Sequence, residues 1–71
     1  MVNLHEIQQR MRECIAGSGI PQKEIAVRIG VSAQTVSKYM RKDVFHALDT
    51  FARLCAVLDV SSNYILGIGE Y

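Results

Sequence analysis

Apolar residues recur through most of this chain at intervals of three and four, the spacing that lines one side of an α-helix, and the pattern falls into five segments. The first opens on Asn3 as N-cap with Glu6 three residues later, a capping-box arrangement, and carries Leu4, Ile7, Met11, Cys14 and Ile15 on its inner side. It is expected to end near Gly17, because Gly17-Ser18-Gly19 permits backbone angles that other residues resist. Three later segments share a start signal, an apolar residue just before the cap position that packs against another five residues on. The pairs are Ile20 with Ile25, Val31 with Val36, and Val60 with Ile65. Ser32 and Ser61 then fall at N-cap positions, where a hydroxyl accepts from an otherwise unpaired amide; Pro21 offers no such group. These signals predict helices at about 22–29, 33–41 and 62–66, the last closed by Gly67. Another helix is expected at about 47–58, with Leu48, Phe51, Leu54, Cys55 and Leu58 facing inward. Lys42 to His46 reads as a loop that carries two apolar residues, Val44 and Phe45.

The pattern predicts an all-α fold, a compact bundle of about five short helices, and a length of 71 residues bounds it to a single domain spanning 1–71. That length holds one small core and leaves no room for a separate catalytic or ligand-sensing domain. Function is therefore expected on the surface, with no small-molecule site or cofactor evident. No repeat or low-complexity linker divides the chain. The longest apolar runs are too short to span a bilayer, and the amino terminus lacks the basic-then-apolar layout of a secretion signal, so a soluble, cytoplasmic protein without a membrane partner is expected. Cys14 and Cys55 belong to no Cys/His cluster of metal-ligand spacing and read as reduced, buried small hydrophobes. An enzymatic reading would need Cys14 as nucleophile with a histidine as base. Helical periodicity places Cys14 in the core, and neither His5 nor His46 has a second ligand or acid at catalytic spacing. No catalytic or metal-binding residue is assigned.

The net charge of +1 conceals an uneven distribution. From Gln22 to Lys42 five bases stand against one acid, a balance of +4, while the remaining residues carry three bases and six acids, a balance of −3. Positive charge gathered in one segment makes a basic face, which a phosphate backbone attracts. The same segment imposes two helices joined by a turn too tight for an ordinary loop. Ala26 is small where the two helices pass close together, and Gly30 sits where the chain leaves the first of them, most cheaply through a left-handed conformation. Ile25, Ile29, Val31, Val36 and Tyr39 fall on the sides that face each other and the core. The opposite side of the second helix then presents Ala33, Gln34, Ser37, Lys38 and Arg41. A helix fits the major groove of B-DNA, where Gln34 has the geometry to pair with an adenine edge, Lys38 to donate to guanine and Ala33 to touch a thymine methyl. Gln22, opening the first helix of the pair, is placed to bond a phosphate. Lys23 and Arg28 occupy an outer face, where charge is more often simply solvated.

At this point the chain resembles the Cro and phage-repressor (XRE-type) family of helix-turn-helix regulators, over nearly its whole length. Pro21-Gln22 matches the family's Ser-Gln, Ala26 and Gly30 its Ala and Gly, and Val31-Ser32 with Thr35-Val36-Ser37-Lys38 its recognition-helix core. Leu48-Asp49-Thr50-Phe51 resembles the family's Leu-Asp-Thr-Leu, and Val60-Ser61-Ser62-Asn63-Tyr64-Ile65-Leu66-Gly67 its closing motif. The resemblance implies a lambda-repressor-like DNA-binding domain with the helix-turn-helix at about 22–41, and Gln22, Lys23, Ser32, Ala33, Gln34, Thr35, Ser37, Lys38, Arg41 and Lys42 as its DNA-binding residues. It also implies a bacterial or phage transcriptional regulator, expected to be a repressor, reading a palindromic double-stranded operator as a homodimer; the carboxy-terminal residues Ile65, Leu66, Ile68 and Tyr71 either close the core or give a share of their surface to the two-fold partner. Three departures stand out. Ile15 and Met40 occupy the places of an Arg–Glu pair found in many members; the two changes match, because an apolar contact replaces a buried ion pair at little cost whereas one change alone strands a charge. Lys42 stands where a Gly is common, and His46-Ala47 replaces the usual Pro-Ser. A competing reading makes the chain an antitoxin-like or adaptor protein whose main role is to hold a partner through Val44-Phe45 and the Ile65–Tyr71 end, with DNA binding for self-regulation.

Overall fold

A computed structural model describes residues 3–41 and 47–69. It contains α1 (Leu4–Gly17), α2 (Gln22–Ile29), α3 (Ala33–Arg41), α4 (Leu48–Leu58) and α5 (Ser62–Leu66), with no strand among the described residues. The chain is all-α, as expected, and none of these helices is long and apolar enough to cross a membrane. Start signals read from the sequence operate as physical caps. Asn3 Oδ1 accepts from the Glu6 amide at 3.2 Å, Ser32 Oγ from the Thr35 amide at 3.1 Å and Ser61 Oγ from the Tyr64 amide at 3.4 Å. Pro21 makes no side-chain cap. The predicted loop from Lys42 to His46, including Val44 and Phe45, lies outside the described residues, as does Tyr71.

Two of the connections are the same three-residue device. α2 stops at Gly30 (φ 77°, ψ 30°), and the Val31 amide reaches back to the Ala26 carbonyl at 3.0 Å. α4 stops at Asp59 (φ 54°, ψ 50°), and the Val60 amide reaches back to the Cys55 carbonyl at 3.1 Å. In each case the valine that completes one helix end is also the residue before the next serine cap, so Val31 and Val60 pack against the core from both sides of a turn. The difference lies at the left-handed position, where asparagine and aspartate are tolerated but glycine is free of a Cβ penalty. Asp59 also places a negative charge at the negative end of α4. Gly30→Ala is expected to cost about 1–2 kcal/mol, because space is open around its Cβ but the angle is not. Asp59→Gly is expected to gain about 0.5–1 kcal/mol. Thermal unfolding of the two variants should move in opposite directions; a gain from Gly30→Ala would contradict the left-handed assignment.

Ile25, Ile29, Val36, Leu54 and Ile65 are fully buried, and Met11, Ile15, Ala26, Tyr39 and Cys55 complete the core. α2 is central, packing on both α3 and α4, while α1 packs on α5 and α3. Two expected core positions are corrected. Leu48 is 83% exposed: the inner side of α4 is centred on Thr50, Leu54 and Cys55, with Phe51 and Leu58 half-buried beside them, and Leu48 lies off its edge in the first turn. Leu4 is 42% exposed, because the first turn of α1 projects past the residues it would cover, while Gln8, one turn on, is buried. Cys14 is half-buried rather than fully enclosed, and Cys55 is buried; both are free thiols.

Candidate nucleic-acid interface

α3 is held by its inner side. Val36 is fully buried and Tyr39 nearly so, Met40 packs against the same core from its edge, and Ala26 of α2 is buried beneath the crossing. Helical geometry then leaves Ala33, Gln34, Ser37, Lys38 and Arg41 as one outward stripe. Ala33, Gln34, Lys38 and Arg41 are exposed and Ser37 is half-buried among them. Arg41 lies back along its own helix, its Nε donating to the Ser37 carbonyl at 3.4 Å. Ser32 and Thr35 are brought together instead in the cap, their hydroxyl oxygens 2.9 Å apart, with Thr35 half-buried one turn before Lys38. Gln22 and Lys23 are exposed in the first turn of α2, whose leading amides no side chain caps. Lys42 lies outside the described residues.

The charge of the central segment is sorted by this geometry. Arg28 pairs with Glu24 one turn earlier on α2, so the segment's only acid is matched by a base of the same helix. Lys23 and Lys38 carry no ion pair among the described residues. All three bases elsewhere in the chain have a common employment that the sequence pattern did not reveal. Arg10 Nε donates to the Ile65 carbonyl at 2.9 Å, Arg12 Nε to the Tyr39 carbonyl at 3.0 Å, and Arg53 Nε to the Ile29 carbonyl at 3.3 Å. The three carbonyls lie toward the carboxy-terminal ends of α5, α3 and α2 respectively, where the helix dipole favours a cation. Arg53 is steadied by Asp49, at 2.9 Å. Two of the three arginines therefore fasten the helix pair: Arg12 holds α3, which carries the outward stripe, and Arg53 holds α2 beside it. The available signal was only that these bases are arginines, whose planar fork suits such fastening better than a lysine point charge.

The amino-acid sequence matches a family model described as helix-turn-helix, of the Cro and phage-repressor (XRE) type, across residues 11–65. The chain belongs to that helix-turn-helix family. No curated protein and no solved structure matches it. The family is a DNA-binding regulatory one rather than an enzymatic one, and binding of double-stranded DNA is the activity its fold supports. In this member of the family the thiols are poor nucleophiles. Burial pushes Cys14 up, with Glu13 adding to the effect, and burial pushes Cys55 up, with Cys14 adding to it, so both stay protonated. Among the described residues no group of three His, Cys, Asp or Glu side chains is arranged to hold a metal.

Proposed function

We propose that this chain acts as one domain that reads a specific double-stranded DNA sequence, with α3 laid in the major groove, and serves as a transcriptional repressor in the bacterial or phage-infected cytoplasm. The observation that carries the reading is the contrast between the two sides of α3: Val36 and Tyr39 are locked into the core, while Ala33, Gln34 and Lys38 stand exposed in one stripe. Gln34 and Lys38 serve as base readers, Ala33 as an apolar contact and Ser37 as a short polar one. Gln22, Lys23, Arg41 and Lys42 contact the flanking phosphates, with Ser32 and Thr35 setting the entry of α3.

Two copies are proposed to bind a palindromic operator through the carboxy-terminal end. Ile65 is withdrawn into the core, so the contact falls to Ile68, which is 60% exposed, and its neighbour Leu66. The adaptor alternative shares this end and otherwise relies on Val44-Phe45, which lie outside the described residues. Selection of bound duplexes from a random pool tests the whole reading. The expected product is a two-fold symmetric site bound with nanomolar affinity that falls steeply as salt rises. Recovery of duplexes with no shared sequence, at an affinity equal to that for scrambled DNA, would refute it.

A further inference from the structure

We infer that Arg12 of α1, which lies outside the basic segment and off the outward stripe, is a positioning residue for base recognition. The inference rests on the proposed reading of α3. A recognition helix must be fixed at both ends, because a small rotation carries Gln34 and Lys38 out of reach of the base edges they read. Its leading end is fixed by Ser32, through the Thr35 amide at 3.1 Å. Its trailing end is reached from across the fold: Arg12 Nε donates at 3.0 Å to the Tyr39 carbonyl, 27 residues away in sequence and one residue after Lys38. That carbonyl lies toward the carboxy-terminal end of the described α3, where the helix dipole favours a cation.

The bond matters more here because of its neighbours. Ile15, one turn after Arg12 on α1, is buried, and Met40, next to Tyr39, packs against the same core. Apolar contacts of this kind hold two helices together but tolerate sliding and rotation, whereas a charge-assisted hydrogen bond has a preferred distance and direction. Arg12 thus supplies the directional fastening of the helix pair α1 and α3, and it does so from a place that needs no contact with DNA.

The test compares Arg12→Met and Arg12→Lys with the parent chain on a duplex selected from a random pool and on a scrambled duplex of equal length, each below its thermal midpoint by circular dichroism. Arg12→Met is expected to reduce the ratio of selected to scrambled affinity by about tenfold, the scale of one charge-assisted hydrogen bond. Affinity for scrambled DNA should stay within about twofold and the salt dependence should keep its slope, since no phosphate contact is lost. Arg12→Lys, which keeps the charge with a less suited donor, is expected to lose about threefold, and it carries the test if the methionine variant does not fold. An unchanged ratio in the variant that folds, with only a lowered thermal midpoint, would reduce Arg12 to a stabilising residue and overturn the inference while leaving the DNA reading intact. A slope reduced by about one would make it a phosphate contact and overturn the inference too. A parent chain that does not distinguish the two duplexes overturns the DNA reading itself.

Discussion

Leu54→Ala is expected to lower the thermal midpoint of this domain by about 10–30 °C. Leu54 is fully buried on α4 at the junction with α2, among Ile25, Ile29, Val36 and Ile65. Removing its side chain loses the transfer free energy of the deleted carbons and leaves a cavity that the surrounding helices fill only in part, about 2–5 kcal/mol in all. A small single core rarely holds more than about 3–5 kcal/mol in reserve, so one such change consumes most of it. At roughly 4–8 °C per kcal/mol for a domain of this size, the shift is large enough to leave the chain mostly unfolded at growth temperature. Circular dichroism melting measures it directly. A fall of less than about 5 °C would mean that α4 collapses onto α2 without penalty, and the core would not be organised around this leucine.

That core was legible because its logic is local. A staple, a cap and a left-handed glycine are all set within a handful of residues, and the boundaries of α2, α3 and α5 follow from Ile20, Val31, Ser32, Val60, Ser61 and Gly67. Periodicity gives the direction a side chain points but not whether a neighbouring helix extends far enough to cover it. Leu4 and Leu48 each stand in a first turn, where that failure shows. Asp59 was illegible for a different reason: aspartate adopts the left-handed conformation only where surrounding contacts hold it there, and nothing in a Leu-Asp-Val sequence announces that. The arginine fastenings join residues far apart in the chain, such as Arg10 and Ile65, and depend on which carbonyls are left unpaired after folding. Sequence therefore located the outward stripe of α3 but not the bonds that orient it. The basic segment was likewise read as a sum, whereas the fold separates Arg28, matched by Glu24, from Lys23 and Lys38, which carry no ion pair among the described residues.

Lys38→Ala is expected to erase preference at one base position of each half-site, lowering discrimination there by about tenfold to a hundredfold. Lys38 is exposed on the outward side of α3, directly between Ser37 and the inward Tyr39, and its ammonium is free of protein partners among the described residues, so folding leaves it available to donate to a guanine edge. Truncation should not unfold the domain, because a solvated lysine on a helix surface contributes within about 0.5 kcal/mol of stability. The informative comparison is with Gln22→Ala, which removes a proposed phosphate contact at the start of α2 and should weaken selected and scrambled duplexes by the same factor. Binding measured on a panel of duplexes altered one base pair at a time separates the two. A flattened profile at a single symmetric pair of positions for Lys38→Ala, against a uniformly lowered one for Gln22→Ala, is the pattern expected if α3 reads bases and α2 grips the backbone. Uniform weakening by both variants would make Lys38 a second backbone contact, leaving Gln34 and Ala33 to account for whatever sequence preference the domain has.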